Sequence, residues 1–149
     1  MSLLNGRIAI ITGAGRGLGR AYALMLAKHG AKVLVNDLGS STSGDGADQS
    51  PAQEVVSAIE TAGGQAAVNT SDVADWKGAE EMIQQAVETF GGLDILVNNA
   101  GILRDRMLVN MTEQEWDSVI RVHLKGTFAP MHHAANYWRS RSKAGVTLT

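Results

Sequence analysis

Gly6-Arg7-Ile8-Ala9-Ile10-Ile11-Thr12-Gly13-Ala14-Gly15-Arg16-Gly17-Leu18-Gly19-Arg20 is the stretch on which the fold turns. Ile8 to Ile11 form a continuous β-prone apolar run, the pattern of a strand covered on both faces of a parallel sheet. A glycine-rich turn follows, and beyond it Leu18, Tyr22, Met25 and Leu26 recur at helical spacing. Strand, glycine turn and helix in that order are the setting of a phosphate-binding loop. Glycine lets the backbone turn tightly and come close to a ligand. The helix then offers unpaired N–H groups and the positive end of its dipole to an anion. The glycines are spaced G-x-x-x-G-x-G, not G-x-G-x-x-G: Gly13 and Gly15 supply a G-x-G, but Leu18 stands where the third glycine would fall. No G-K-[ST] is present, which sets aside a P-loop NTPase. On this stretch alone, a glycine turn that binds nothing stays open.

Composition narrows the class. A chain of 149 residues has room for one domain with a real core and not for two ordinary ones. Its 44% hydrophobic content and two prolines fit a soluble globular α/β protein and argue against disorder. A net charge of −2 gives no footing for nucleic acid or an anionic membrane as partner. Cysteine is absent, which excludes disulfides, zinc–thiolate sites and cysteine nucleophiles. No apolar run nears the roughly 20 residues that span a bilayer, and the first residues lack the apolar segment of a signal peptide, so the expected compartment is the cytoplasm.

Along the chain, the first helix should run from about Arg16 to His29, closed by Gly30 and with Lys28 and His29 at its negative dipole end. Lys32 to Asn36 reads as a second buried strand ending in Asp37, about twenty residues past the glycine loop. An acidic side chain there can accept hydrogen bonds from the ribose hydroxyls of a dinucleotide and would repel a 2′-phosphate; a turn-forming Asp before Gly39 is the plainer alternative. Gly39 to Ser50 is a polar loop, longer than the usual βα connection. Ser50-Pro51-Ala52-Gln53 reads as a capping box with Pro at the first helical position. Val55, Val56 and Ile59 are the buried face of that helix, which Gly63-Gly64 end.

Gln65 to Asn69 is a short third strand, left through Ser71-Asp72-Val73. Asp75 caps a helix whose stripe is Ala79, Met82, Ile83, Ala86, Val87 and Phe90, closed by Gly91-Gly92. Asp94 to Asn98 is a fourth strand, followed by Asn99-Ala100-Gly101. Thr112-Glu113-Gln114-Glu115 is a capping box opening a long helix with Trp116, Ile120, His123 and Thr127 on one side. Pro130 removes a backbone donor inside it and predicts a kink near Gly126. Gly145 to Thr149 looks like the start of a fifth strand. His132 and His133 are adjacent and cannot share a helix face, which argues against a metal site.

Strand and helix alternating four times imply a parallel, doubly wound α/β sheet with helices on both faces. Ligands in such sheets bind at the C-terminal ends of the strands. The glycine loop, Asp37, Asp72 and Asn98–Gly101 all fall there, which favours a binding site over four unrelated turns.

Thr12-Gly13-x-x-x-Gly17-x-Gly19 together with Asn98-Asn99-Ala100-Gly101 resembles the short-chain dehydrogenase/reductase family, and Asp72-Val73 fits the pattern between them. Val35 to Gly39, Asn98 to Arg106 and Arg121 to Phe128 are similar, more narrowly, to the (3R)-hydroxyacyl-CoA dehydrogenase domain of peroxisomal multifunctional enzymes and to related bacterial dehydrogenases. The resemblance implies a Rossmann-type doubly wound sheet, incomplete at the C-terminus, with about four strands and the start of a fifth. Residues 1–149 would be the dinucleotide-binding portion of one such domain. It also implies hydride transfer between a nicotinamide cofactor and a secondary alcohol or ketone, with a 3-hydroxyacyl-CoA among the implied substrates. Gly13, Arg16, Gly17, Leu18 and Gly19 would hold the pyrophosphate and neighbouring sugar, Asp37 the adenosine ribose, and Asp72-Val73 the adenine. The backbone of Asn99, Ala100 and Gly101 would line the cofactor, and Asn98 would brace the central strands. Arg16, a basic residue before the middle glycine, often accompanies NADP in this family. Asp37 outweighs it, because a carboxylate beside a phosphate is strongly repulsive in a desolvated site, so NAD is the expected cofactor.

His123 stands where the family usually has an Asn that supports a proton relay, which makes it the one candidate catalytic residue; a packed helix histidine is the alternative. The family's Ser and Tyr-x-x-x-Lys groups are not found: Tyr22 is followed four residues on by Leu26, and Tyr137 by Arg141. The chain alone is therefore expected to be inactive, and a non-catalytic dinucleotide-binding module is the alternative function. The expected partners are a small-molecule substrate and, through the long helix after Thr112, further copies of the chain.

Overall fold

The structure, a computed structural model, describes residues 2–39 and 51–146. The elements in chain order are β1 (Ile8–Ile11), α1 (Gly17–Lys28), β2 (Lys32–Asn36), α2 (Pro51–Thr61), β3 (Gln65–Asn69), α3 (Trp76–Phe90), β4 (Ile95–Val97), α4 (Glu113–Ile120), a π-helical turn (Arg121–Lys125) and α5 (Gly126–Lys143), with a single 3-10 turn at Leu108–Asn110. The strands form one parallel sheet in the order β3-β2-β1-β4. The doubly wound sheet expected from the alternation is thus present with four strands. Most of the polar loop, Ser50 of the anticipated capping box, and Thr147 to Thr149 of the anticipated fifth strand lie outside the described residues.

The sheet is covered on both faces because β1 is apolar at every position and β2 is apolar from Val33 to Val35. Val33 and Val35 turn to one side, with Ile11, and meet Ala23 of α1 and Val55, Val56 and Ile59 of α2. Leu34, Ile8 and Ile10 turn to the other side and meet Met82, Ile83 and Ala86 of α3 and Ala134 of α5. The two-residue period of a strand divides one apolar run between two cores.

The helix ends follow their local chemistry. Gly30, at φ +93°, closes α1 with N–H bonds from Gly30 to Ala27 O and from Ala31 to Leu26 O, the paired pattern of a Schellman motif. Gly63, at φ +82°, closes α2 in the same way. Asp75 caps α3 by accepting from Gly78 N, and Thr112 and Glu115 form the reciprocal capping box of α4.

The long helix departs from expectation in kind rather than in place. Instead of a simple proline kink near Gly126, the chain widens into a π-helical turn that ends where Gly126 begins α5. Pro130 denies Gly126 its usual i+4 partner, and Gly126 packs against Val73 so closely that a Cβ would come within 2.7 Å of Val73 Cγ2. The chain has to bow inward before that contact, and an inserted residue in the helix provides the bow. The Thr127 hydroxyl donates to the His123 carbonyl at 2.8 Å within the irregular turn.

Leu34 is fully buried at the centre of the sheet, whereas Met25 on α1 is half exposed. Leu34→Ala is expected to cost about 2–5 kcal/mol in urea denaturation, against roughly 0.5 kcal/mol or less for Met25→Ala.

Candidate functional site

The C-terminal ends of β1 and β4 are joined through Thr12. Its buried hydroxyl accepts from the backbone N–H groups of Asn99 and Ala100, both at 3.0 Å, and donates to Val97 O at 3.4 Å. The Asn99 side chain returns the contact, Nδ2 donating to Thr12 O at 3.0 Å and Gly13 O at 3.1 Å. The glycines of the loop then divide by role. A Cβ on Gly13 would sit 2.8 Å from Ala100 Cα, and one on Gly19 would run into the Gly13 carbonyl and Asn99 Nδ2. These two are glycines because backbone passes against backbone. Gly17 is different: its φ is +55°, and a Cβ there would meet nothing within 4 Å. It opens α1 at a helix N-terminus facing free space, beside the exposed Arg16 and Leu18.

Asp37 leaves β2 next to this loop. Its carboxylate accepts from Gly15 N at 3.0 Å and Gly39 N at 2.9 Å. The strand end beneath it is fixed by Asn36, buried, whose Nδ2 donates to Asn69 Oδ1 at 2.7 Å and Ser71 O at 2.9 Å. Asp72 follows on the β3 side. Its Oδ1 accepts from Ala74 N at 2.8 Å and its Oδ2 from Arg121 Nη2 at 2.6 Å. Burial alone would push the Asp72 pKa up; the Ala74 N–H, the Arg121 guanidinium and the nearby Lys125 outweigh it and hold the carboxyl below its ordinary value.

Between these groups lies a crevice of about 140 Å³, bounded by Asp37, Asp72, Val73, Ala100, Ile102 and Val122. A larger hollow of about 750 Å³ lies at the opposite edge of the sheet, between the C-terminal ends of α1 and α2, and is lined largely by glycine and alanine. The smaller crevice is the better candidate, because strand C-termini, a helix N-terminus and two carboxylates converge there.

The His123 ring lies over Gly101, whose Cβ would come within 2.8 Å of the ring, and Nε2 is 2.9 Å from Ile102 O and 3.1 Å from Ile102 N. His132 and His133, expected to diverge, both place their rings against Trp76, at centroid distances of 4.8 and 4.7 Å. A ring at the end of two rotatable bonds reaches sideways, and Trp76 is broad enough to be shared. Among the described residues no group of three or more His, Asp and Glu side chains is placed to hold a metal ion, and no helix is long and apolar enough to cross a membrane.

The structure thus brings together the glycine loop, Asp37, Asp72-Val73 and Asn99–Gly101, which are far apart in the chain. It corrects the role expected for Asn98: that side chain is exposed, and Asn99 braces the central strands. Adjacent asparagines at a strand exit alternate in direction, so one faces in and its neighbour out. Thr12, Ile102, Val122 and Arg121 lie within the stretches that carry the family resemblance but were given no role from sequence. Thr12 carried a signal, a hydrogen-bonding residue ending a fully apolar strand; Arg121 carried none, since its partner lies elsewhere in the chain.

Comparison with known proteins gives the class. Residues 7–148 match the short chain dehydrogenase family, and the chain belongs to it. The family consists of oxidoreductases that use a nicotinamide dinucleotide. The chain is 51% identical to the peroxisomal multifunctional enzyme type 2 of Drosophila melanogaster over 97% of its own length and 24% of that protein's. It is 49% identical to the hydroxyacyl-CoA dehydrogenase ChsB1 of Mycobacterium tuberculosis, over 94% of its own length and 43% of the relative's. A crystal structure of a short chain dehydrogenase from Mycobacterium avium superposes with a TM-score of 0.91 at 58% identity, covering 98% of this chain and 50% of that one. The chain therefore spans a quarter to a half of the length of these relatives.

Thr12→Val keeps the shape of the side chain but strands the Asn99 and Ala100 N–H groups. It is expected to destabilise the protein by about 1–3 kcal/mol, with Thr12→Ser close to the unaltered chain; chemical denaturation of the three proteins checks it.

Proposed function

We propose that the crevice and glycine loop bind NAD(H), and that the protein is a dehydrogenase moving a hydride between nicotinamide and a secondary alcohol or ketone. The observation that carries this reading is the Asp37 carboxylate, set beside Gly15 at the mouth of the crevice and next to the open helix N-terminus at Gly17. An anion at that N-terminus and a hydroxyl-bearing sugar at Asp37 are what the two groups suit chemically. Gly13, Arg16, Gly17, Leu18 and Gly19 take the pyrophosphate and neighbouring sugar, Asp37 the adenosine ribose, Asp72 and Val73 the adenine, and the backbone of Asn99, Ala100 and Gly101 the inner stretch of the cofactor. The nicotinamide, when bound, supplies the hydride donor or acceptor.

The residues of this chain bind and orient; they do not complete the proton transfer. His123 is the imidazole that borders the site, its ring over Gly101. With Nε2 against the Ile102 backbone, it suits support of the site or a relay better than direct contact with substrate. A 3-hydroxyacyl-CoA is the substrate class we favour, following the name of the Mycobacterium tuberculosis relative. Exposed Trp116, Ile120, Leu124 and Phe128 along α4, the π-helical turn and α5 support a homo-oligomer formed through the long helix after Thr112.

Calorimetry with both cofactors tests the binding reading. NAD is expected to bind more tightly than NADP, and Asp37→Ala to narrow the gap by about tenfold, since juxtaposed like charges cost several kcal/mol. A preference of the unaltered protein for NADP would overturn it. The second outcome concerns turnover: the 149-residue chain should give no NADH absorbance change with 3-hydroxyacyl-CoA or simple secondary alcohols. Its sequence offers no Tyr-x-x-x-Lys pair, and general acid–base help is worth about 10²–10⁴-fold. Turnover that disappears in His123→Ala would make His123 the acid–base group.

A further inference from the structure

The crevice has two walls, Asp72-Val73 on the β3 side and Gly101-Ile102 on the β4 side, and among the described residues no hydrogen bond joins one wall to the other. Each is instead tied to the π-helical turn. Arg121 Nη2 meets Asp72 Oδ2 at 2.6 Å, and Gly126, one residue past the turn, lies against Val73. His123 meets the Ile102 backbone and covers Gly101. Val122, between the two gripping residues, lines the crevice itself. Successive residues of a helix fan out by about 100°, so residues two apart face opposite sides with the middle one between them. Three consecutive side chains thus reach one wall, the floor and the other wall.

We propose that Arg121 is a positioning residue for the adenine end of the dinucleotide, and that through it the π-helical turn braces the two walls at a fixed separation. The inference rests on the reading that this crevice takes the adenosine half of the cofactor. Asp72 is held at both oxygens, by Ala74 N–H and by Arg121, so the carboxylate cannot swing about its own side chain. Each oxygen keeps a lone pair unused by these bonds, and Asp72 lines the crevice, where it can accept from an exocyclic amine. Without the guanidinium, Asp72 keeps one anchor and loses its side-chain hydrogen bond to the turn. A charge-assisted bond of this geometry is shorter and stronger than a neutral one. Lys125, also close to Asp72, adds charge but no hydrogen bond.

The test separates the two halves of the cofactor by using 5′-AMP and nicotinamide mononucleotide as probes, titrated calorimetrically into the full-length protein. Arg121→Ala is expected to weaken 5′-AMP by about tenfold and to leave the mononucleotide within about twofold, while Arg121→Lys recovers most of the loss. Amide hydrogen exchange should quicken at Val73 and Ala74 in Arg121→Ala and stay unchanged in the sheet. Equal 5′-AMP affinity in the altered and unaltered proteins would overturn the proposal alone, as would parallel losses for both probes. No 5′-AMP binding by the unaltered protein would overturn the cofactor reading along with it. Arg121→Gln carries the same comparison if Arg121→Ala does not fold, because it keeps the stem and removes the charge.

Discussion

The buried hydroxyl of Thr12 is the point from which the site hangs. It uses both lone pairs and its proton, accepting from Asn99 and Ala100 and donating to Val97, so β1 and β4 leave the sheet as one rigid pair. A hydroxyl with all its bonding capacity met costs little to bury, whereas the same group with a partner missing is expensive. Gly13 and Gly19 belong to this arrangement. Their missing side chains allow the loop to lie on Ala100 and on Asn99, and that close approach puts the start of α1 beside the crevice.

What could be read from the sequence was set by local rules. Strands with apolar centres, glycines at positive φ past a helix end, and the Thr112–Glu115 box each act over a few residues, and each is where the pattern put it. The strand order and the gathering of Asp37, Asp72 and Asn99–Gly101 at one edge follow from right-handed crossovers, which are nearly as regular. The features that escaped depend on contacts between distant parts of the chain. Pro130 and Gly126 mark where the long helix is disturbed, but the packing of Gly126 against Val73 is a contact that helical spacing does not encode. The shared packing of His132 and His133 on Trp76 is likewise a tertiary event that helical spacing does not encode. Which of two neighbouring asparagines faces inward turned on a single residue of register.

α4 has a different standing from the other helices. No residue of it is buried, and Trp116 and Ile120 face outward. Its sequence carries a sound cap and two acidic residues in the first turn, so it is well formed as a helix while burying little. Its local signals fix its start, but packing onto the core fixes almost nothing about it. The π-helical turn is where that loosely packed element meets the crevice, through Arg121 and His123.

The parallel order of the sheet also sets a sequence of events. Ile8 pairs with Lys32, but Ala9 must wait for Ile95, a loop more than three times as long. The added entropy of closing it is only about 1 kcal/mol, so the delay is one of time and not of final stability. During synthesis, Asp37 and Asp72 can take their places on β2 and β3 while Thr12 still lacks its partners. A chain holding only β1 to β3 can tie Ala14 and Gly15 to the end of β2 but lacks every contact of Thr12 with Asn99 and Ala100. The sheet edge that carries the glycine loop, Asp37 and Asp72 is therefore completed late, when Asn99 and Ala100 emerge and close onto Thr12.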